Sequence, residues 1–340
     1  MRAGSAGSSG LRWARVWGTA RALRSIRQPY DACCGMSDGF HQRRARMASV
    51  GVVGVGRIGA PLVARLVAAG HDVVATDIRP ECRALVEESG AQWAPDATKV
   101  TAKVVFTVMP GNQELHDLAG DLLSHMDEGS VWIDLTSASL ELGEECARAA
   151  RENGVAYLDA PIGGGVAAMQ EGTVTLYVGG DPAVLEANTP VLTSFAKAVH
   201  HAGASGMGYL TKLLINLLWF GHATLTTEVL LLAQRHGQSP DRMRHLLRGS
   251  AGDSAYVQHH LPALLQGDYL RDFGLDRCVE ELDSIERTAS QARTPHPLTS
   301  VIAELHRAAL DRYGPVDGEL MASALLEEQA QLFLRPVRPE

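Results

Sequence analysis

Apolar and polar positions alternate between two periods up to about residue 205. Short apolar runs that end in glycine or polar residues predict buried strands, and runs with apolar residues three and four positions apart predict amphipathic helices. The strands are predicted at 49–56, 71–77, 103–109, 130–135, 155–161, 173–180 and near 198–201, and the helices at 57–70, 79–90, 112–124 and 139–152. Because the two types alternate, we expect right-handed crossovers and a mostly parallel, doubly wound α/β sheet.

After Gly208 the alternation stops, and the sequence has helical spacing to about Phe333. Glycine and proline predict breaks between helices at 237–240, 251–254, 267–268, 294–297 and 314–318. No break falls within 206–236, so one long helix is expected there. The sequence thus predicts an α/β domain over residues 47–205, followed by an all-α domain over 206–335 that the long helix joins to it.

Length and composition fit this organisation and exclude several classes of protein. A chain of 340 residues with 46% apolar residues is long enough for two cores. No uninterrupted apolar run approaches the roughly 18 to 20 residues of a membrane span, so no membrane partner is expected. Residues 1–46 carry nine arginines against two aspartates, a charge of +7, whereas the whole chain carries −8, which leaves −15 for the remainder. An acidic body argues against nucleic acid as a partner.

Residues 1–46 lack the apolar segment of a secretory signal. Their richness in arginine, alanine, glycine and serine resembles a mitochondrial transit peptide, although a disordered extension upstream of a start at Met36 or Met47 is the alternative. The expected location is therefore the cytoplasm, or the mitochondrial matrix if this segment is a targeting peptide.

Cysteine and histidine give no sign of a metal site. The five cysteines are odd in number and form no C-x-x-C pair, which excludes a disulfide framework and a zinc site and fits a reducing compartment. The histidines, including His259 and His260, lack metal-ligand spacing with carboxylates and are expected at the surface. Trp219 and Phe220 are expected to pack in a core or between subunits, with a cleft beside Asn216, one helical turn away, as the alternative for Trp219.

Three glycines, Gly54, Gly56 and Gly59, form G-x-G-x-x-G between the first predicted strand and the first predicted helix. Glycines in this context allow a tight turn and let backbone N–H groups approach a pyrophosphate, which is typical of a Rossmann dinucleotide site. Arg57 and Ile58 lie within the same turn and are candidate cofactor contacts. The alternative is a helix packed closely on its strand with no ligand.

Asp77 ends the second predicted strand, 18 residues after Gly59, where it can accept hydrogen bonds from a ribose diol. A carboxylate there repels a 2′-phosphate, so NAD is the expected cofactor. Arg79, two residues later, could pair with that phosphate and leaves NADP open.

Lys212 is one of only four lysines among 31 basic residues, and it lies beside the most apolar segment of the chain, 213–220. The surrounding apolar residues leave no polar stripe, so the helix is expected to be buried on all sides. Asn216 follows at i+4 on the same helical face. The pair is therefore predicted to face a cleft, where a lysine amine can donate and accept a proton.

The pattern G-x-x-G-x-G-x-x-x-K-x-x-x-N over 203–216 resembles the catalytic segment of the β-hydroxyacid dehydrogenase family, which includes 3-hydroxyisobutyrate dehydrogenases and is related to 6-phosphogluconate dehydrogenase. The resemblance spans about residues 48–330. Its further anchors are VGVGRIGAPLVARLVAAGHDVVATD (53–77), TVMP (107–110), DLTS (134–137) and DAPIGGGVAAMQEGT (159–173).

The resemblance implies an NAD(P)-dependent oxidoreductase acting on a small β-hydroxy acid or the matching semialdehyde. It makes Lys212 the general acid/base and Asn216 the residue that positions lysine and substrate. It also implies that the backbone N–H groups of Gly163, Gly164 and Gly165 bind the acid group of the substrate.

The resemblance assigns further cofactor contacts and an assembly. Met109 and Pro110 would pack on the cofactor, Ser137 would lie near the nicotinamide ribose, and the helical domains would pair into a homodimer or homotetramer. The chain departs from the family at Gly163, which replaces a serine, and at Glu280, which replaces a lysine that approaches the cofactor. Glu280 is thus expected either to hydrogen-bond the cofactor or to face water.

Two alternatives remain at the level of sequence. An imine reductase shares this fold, but members of that group usually carry Asp or Tyr where this chain has Lys212. A non-catalytic scaffold that binds NAD is the other, supported by the departures at Gly163 and Glu280.

Overall fold

The computed structural model describes residues 48–335. The predictions for residues 1–46, a targeting peptide or a disordered extension, lie outside the described residues.

The described residues form a sheet followed by a helical region. The strands are β1 (Ser49–Val53), β2 (Asp72–Thr76), β3 (Gln92–Trp93), β4 (Val104–Thr107), β5 (Val131–Asp134), β6 (Ala156–Asp159), β7 (Ile162–Gly163), β8 (Val174–Gly180) and β9 (Ala196–Gly203). The helices are α1 (Gly59–Ala68), α2 (Cys82–Glu88), α3 (Asn112–Leu123), α4 (Leu140–Glu152), α5 (Gly165–Glu171), α6 (Pro182–Leu192), α7 (Met207–Arg235), α8 (Pro240–Leu247), α9 (Leu261–Gln266), α10 (Leu275–Gln291), α11 (Pro297–Tyr313) and α12 (Met321–Ala330).

The sheet is parallel from β3 through β2, β1, β4 and β5 to β6. Beyond β6, β8 pairs antiparallel with both β6 and β7 and parallel with β9. The predicted doubly wound sheet and all-α second region are confirmed. The hydrophobic pattern missed β3 and β7, which have two residues each, and did not predict α5 or α6.

Alternate strand residues build one core on each face of the sheet. Val52, Phe106 and Ile133 face the side covered by α1, whereas Val105 and Trp132 face the side covered by α3 and α4, and all five are fully buried. Because the strands are buried on both faces, they have continuous apolar runs in the sequence. These runs are what made the sheet predictable.

Helix α7 joins the two regions, since it packs on α4, β8 and β9 and also on α8, α10, α11 and α12. The prediction that it is buried all round is wrong, because Leu214, Leu218, Leu225 and Leu232 are 45% to 65% exposed. Among the described residues, α7 alone is long and apolar enough to cross a membrane by length and composition, a test that core helices of water-soluble proteins also pass.

Candidate active site

The turn between β1 and α1 requires glycine at two positions and leaves a third open. Gly54 has φ +97°, and a Cβ there would lie 2.3 Å from the carbonyl oxygen of Val108. A Cβ on Gly59 would lie 1.9 Å from the Gly54 carbonyl oxygen. At Gly56 the nearest atom to a Cβ would be Arg79 Nη2, 3.7 Å away, so this side of the turn is open. The turn therefore has the tight geometry and the free backbone surface that a dinucleotide pyrophosphate needs.

Asp77 lies beside this turn at the end of β2. Its Oδ2 accepts a hydrogen bond from the Val55 N–H at 2.8 Å, and its Oδ1 accepts one from Arg79 Nε at 2.9 Å. Burial alone would raise the pKa of Asp77, but the hydrogen bonds from Arg79 and Val55 hold it below the ordinary value. The carboxylate is thus ionised and fixed where a ribose would lie, and Arg79 covers it. These residues fit a bound dinucleotide.

Arg57 links the dinucleotide turn to the helical region. Its Nη1 donates to the carbonyl oxygen of Asp272 at 2.9 Å, and its Nη2 forms an ion pair with Asp317 at 2.6 Å. Both partners lie in loops that flank α10 and α11, so the turn and the helical region meet at this side chain.

A buried carboxylate fixes the start of α7. Asp159, at the end of β6, accepts hydrogen bonds from the N–H groups of Gly206 at 2.7 Å and Tyr209 at 3.1 Å. A Cβ on Gly208 would lie 2.3 Å from the Tyr177 carbonyl oxygen, so only glycine allows this approach. Burial raises the pKa of Asp159 to about 6, although the backbone hydrogen bonds oppose the shift. This anchor sets where Lys212, one turn further along, meets the sheet.

Lys212, Asn216 and Glu281 form a chain of polar contacts between α7 and α10. Lys212 Nζ donates to Asn216 Oδ1 at 2.8 Å, and Asn216 Nδ2 donates to Glu281 Oε2 at 2.7 Å. Lys212 is half-buried, whereas Glu281 is only 5% exposed. Burial raises the pKa of Glu281, against the opposing effect of the Lys212 charge. Asn216 is therefore held from both sides, with its oxygen turned to the amine.

These side chains open on a cleft of about 620 Å³ between the sheet and the helical region. The residues predicted from the sequence that line it are Arg57, Ile58, Met109, Pro110, Ser137, Gly163, Gly164, Gly165, Lys212 and Asn216. The predicted residues that do not line it are Gly54, Gly56, Gly59, Asp77 and Glu280. Gly54, Gly56 and Gly59 form the adjoining dinucleotide turn and Asp77 lies beside it, so the structure brings both predicted subsites to the same edge of the sheet.

The glycine segment forms the wall of the cleft that belongs to the sheet domain. Gly163 pairs with Thr175 of β8, Gly164 has φ +108°, and α5 begins at Gly165. A Cβ on Gly163 would lie 3.2 Å from the Tyr177 ring. A serine at this position would therefore require the Tyr177 side chain to move by a few tenths of an ångström.

The loops that carry Met109 and Ser137 are held by one buried carboxylate. Asp134 accepts hydrogen bonds from the Thr136 N–H at 3.0 Å and from the Tyr209 hydroxyl at 2.5 Å. The Thr136 hydroxyl in turn accepts one from the Met109 N–H at 3.0 Å. Burial raises the pKa of Asp134 to about 6. One network thus connects the cofactor-side loops with α7.

The Glu280 carboxylate is partly exposed and binds groups of the chain itself. It accepts hydrogen bonds from the N–H of Asn112 at 3.1 Å and from Asn112 Nδ2 at 2.6 Å, and it pairs with Arg277 at 2.9 Å. Glu280 therefore caps the first residue of α3 and ties α10 to the sheet domain. An acid suits this position because a helix N-terminus carries partial positive charge.

The sequence reasoning missed several cleft residues. His260 was expected at the surface, but it lines the cleft and accepts a hydrogen bond from Trp219 Nε1 at 3.2 Å, and burial lowers its pKa. Glu281 could have been found, because it is a charged residue on the buried face of α10 that also carries Cys278 and Leu282. Glu319 lies in a loop, where no periodic pattern marks it.

Comparison with known proteins agrees with this arrangement. A sequence model of the NAD binding domain of 6-phosphogluconate dehydrogenase matches residues 49–203, and one described as NAD-binding of NADP-dependent 3-hydroxyisobutyrate dehydrogenase matches residues 206–325. The chain is 32% identical over 211 residues to 3-hydroxyisobutyrate dehydrogenase of Pseudomonas aeruginosa, which covers 61% of this chain and 71% of that relative.

Two further relatives extend the coverage. 2-(Hydroxymethyl)glutarate dehydrogenase of Eubacterium barkeri is 29% identical over 262 residues, covering 75% of this chain and 87% of the relative. The solved structure of Mycobacterium tuberculosis 3-hydroxyisobutyrate dehydrogenase with L-serine has a TM-score of 0.76 at 24% identity and covers 82% of this chain and 99% of that one. The last likeness shows the fold. Taken with the cleft and the dinucleotide turn, the matches show that the chain belongs to the β-hydroxyacid dehydrogenase family and is an NAD(P)-dependent oxidoreductase.

Proposed function

We propose that the protein oxidises a small β-hydroxy acid of the 3-hydroxyisobutyrate type, or reduces the matching semialdehyde, with Lys212 as general acid/base. The observation that carries this proposal is the shared cleft. The amine of Lys212 faces the same space as Met109 and Ser137 on the cofactor side and the glycine segment 163–165 on the substrate side.

Each group has one task in this reaction. The turn at Gly54, Gly56 and Gly59, with Asp77 at its edge, would hold the dinucleotide, whose nicotinamide accepts the hydride when bound. The backbone N–H groups of segment 163–165 orient the substrate carboxylate. Lys212 removes the proton of the hydroxyl group as the hydride leaves, and it returns a proton to the carbonyl oxygen in the reverse direction.

Asn216 holds the lysine amine in place for this transfer. Because its Oδ1 accepts from Lys212 and its Nδ2 donates to Glu281, the amide cannot turn without losing a hydrogen bond. The half-buried position of Lys212 limits competition from water for its amine.

The test is Lys212→Met, compared with Lys197→Met on the exposed edge of β9 as the matched control. Removing a general acid/base should lower kcat for the best hydroxy acid by roughly 100-fold or more. Affinity for NADH, measured by fluorescence titration, should stay the same, and the control should match the wild type. Comparable turnover in Lys212→Met would refute the role of Lys212, and turnover of cyclic imines with NADPH in place of hydroxy acids would favour the imine reductase alternative.

We also propose that the protein is a homodimer. Four leucines on α7, Leu214, Leu218, Leu225 and Leu232, recur on one face of the helix and are exposed. Leu298 on α11 is 78% exposed as well. A contiguous row of exposed leucines on one helix face, unlike single exposed apolar residues, is typical of a protein interface.

We propose a reducing compartment, either the cytoplasm or, if residues 1–46 are a targeting peptide, the mitochondrial matrix. Support comes from Cys82, Cys146 and Cys278, which are buried free thiols. Imaging of the full chain fused to a fluorescent protein, beside a fusion that begins at Met47, tests the location. Secretion of either fusion would contradict the proposal.

A further inference from the structure

Strand β8 presents alternate side chains to the core and to the cleft. Val174 and Leu176 are fully buried in the core on one face of the sheet, as expected when every second residue of a strand points the same way. Thr175 and Tyr177, the residues that alternate with them, line the cleft. One face of β8 therefore adds hydroxyl groups to the wall that the glycine segment 163–165 forms.

The Tyr177 side chain lies against Gly163, the position at which the family has a serine. A Cβ on Gly163 would lie 3.2 Å from Cε2 of the Tyr177 ring and 3.5 Å from the phenolic oxygen. A serine hydroxyl is one bond beyond its Cβ, so the phenolic oxygen lies close to where that hydroxyl would be. The chain thus lacks a hydroxyl group at position 163 and carries another one nearby, on the strand that pairs with β7.

The backbone of Tyr177 is fixed from three sides. Its N–H donates to the carbonyl oxygen of Pro161 at 3.3 Å, and it pairs with His200 of β9, whose ring stacks on the phenol with the centroids 6.1 Å apart. Helix α7 packs on its carbonyl oxygen, since a Cβ on Gly208 would lie 2.3 Å from that atom. A side chain held in this way loses little conformational freedom when a ligand binds.

The charge distribution in the cleft favours an anionic group on the same wall. The acidic residues of the lining are Asp272, Glu281 and Glu319, and all three belong to the helical region. A substrate carboxylate is therefore repelled on that side and favoured on the side of Tyr177. A phenolic hydroxyl can donate one hydrogen bond, and a bond to an ionised acceptor is roughly twice as strong as one between neutral groups.

We propose that the Tyr177 hydroxyl donates a hydrogen bond to the substrate carboxylate and so replaces the serine hydroxyl that Gly163 lacks. The inference rests on the proposed function and adds a binding residue to it. The carboxylate is ionised before and during hydride transfer, so the hydrogen bond is equally strong in the bound substrate and in the transition state. Such an interaction lowers KM and leaves kcat unchanged.

The first test is Tyr177→Phe, which removes the hydroxyl and keeps the ring. The substrate is whichever of 3-hydroxyisobutyrate, serine and glycerate the wild type oxidises fastest. We expect its KM to rise roughly tenfold or more, the value of a hydrogen bond to a charged group, while kcat and the affinity for NADH stay nearly the same. The inhibition constant of isobutyrate, which has the acid group but no hydroxyl to oxidise, should rise by a similar factor.

The matched control is Tyr313→Phe. The Tyr313 hydroxyl donates to Glu328 at 2.8 Å, and neither residue lines the cleft. This variant loses a phenolic hydrogen bond of the same length class at a distant place, so its KM and kcat should equal those of the wild type.

The second test moves the hydroxyl from one strand to the other. Tyr177→Leu removes the hydroxyl and the ring, and Gly163→Ser/Tyr177→Leu adds a serine beside the space that the ring leaves. We expect the double variant to recover most of the increase in KM that Tyr177→Leu causes. A tyrosine that only packs against the glycine segment would not be replaced by a hydroxyl at position 163.

A KM that Tyr177→Phe leaves at the wild-type value would overturn the inference and leave the proposed function standing. A double variant no better than Tyr177→Leu would do the same, because the two hydroxyls would then not serve one site. A wild type that binds NADH but oxidises no hydroxy acid would overturn the proposed function and this inference together.

Discussion

At the scale of single residues, we expect Asp77 and Arg79 to control whether NAD or NADP binds. Asp77 is fixed by Val55 and by Arg79, so its carboxylate lies where the ribose hydroxyls of NAD would donate hydrogen bonds to it. The Arg79 guanidinium forms an ion pair with this carboxylate and has no second acidic partner within the described residues. The sequence showed both residues but not that they neutralise each other.

Removing the carboxylate should therefore shift cofactor choice. In Asp77→Ala, Arg79 becomes free to pair with a 2′-phosphate, and we expect the ratio of kcat/KM for NADP to that for NAD to rise roughly tenfold or more, the value of a charge-assisted hydrogen bond. Steady-state rates with each cofactor at a saturating hydroxy acid give this ratio. The double variant Asp77→Ala/Arg79→Ala should lose the gain, and an equal ratio in both variants would show that Arg79 does not bind the phosphate.

At the scale of elements, the sequence predicted the strands and helices that have a long hydrophobic pattern and missed the short ones. The longer parallel strands and α7 have continuous apolar patterns, and they lie where those patterns indicated, whereas the two-residue strand β3 was missed. β7 and α5 follow directly after Pro161 within a glycine-rich stretch. β7 has two residues and forms by pairing with β8, and α5 has seven residues, so both are too short to show a hydrophobic period in the sequence. The exposed face of α7 was missed for a related reason, because hydrophobicity cannot distinguish a core from an interface.

The candidate site also contains some residues that the sequence could predict and others that it could not. Lys212 and Asn216 could be predicted because a polar pair at i+4 contrasts with an apolar helix. Glu319 and His260 could not, because the fold brings them to the cleft from loops and from a separate helical turn. Glu280 differs again, since its partner Asn112 lies 168 positions away and only the folded chain brings the two together.

The anchor of α7 makes a prediction about pH. Because burial raises the folded-state pKa of Asp159 to about 6, above its unfolded value, the folded state binds the proton more tightly. Its contribution to stability is present at low pH and is lost as pH rises through about 6. Asp159→Asn cannot take up this proton, so the stability lost in that variant should be larger at pH 5 than at pH 7.5, by about 1 kcal/mol.

Urea unfolding of both proteins at the two pH values measures this difference. Asp134 titrates in both proteins and cancels in the comparison. A gap that is constant with pH, or that narrows toward pH 5, would show that Asp159 is ionised in the fold without cost.

At the scale of the whole molecule, two features join the sheet domain to the helical region across the cleft. Arg57 connects the dinucleotide turn with the loops at Asp272 and Asp317, and Glu280 connects α10 with the start of α3. The cleft is thus closed on two sides by polar contacts and along its base by α7. The outer face of α7 stays exposed in this arrangement, since its leucines are 45% to 65% accessible to solvent.

A second copy of the chain would cover that face, and one substitution tests whether it does. Leu225 is 62% exposed near the middle of α7, so Leu225→Glu should leave the fold of one chain intact. In a dimer, however, it would bury a carboxylate in apolar surroundings, at a cost of several kcal/mol. We expect light scattering after size-exclusion chromatography to give twice the mass of one chain for the wild type and the mass of a single chain for Leu225→Glu.

Leu85→Glu, at a leucine 49% exposed on α2, is the control and should keep the wild-type mass. A monomeric wild type, or a dimer that tolerates Leu225→Glu, would mean that this face does not join two copies.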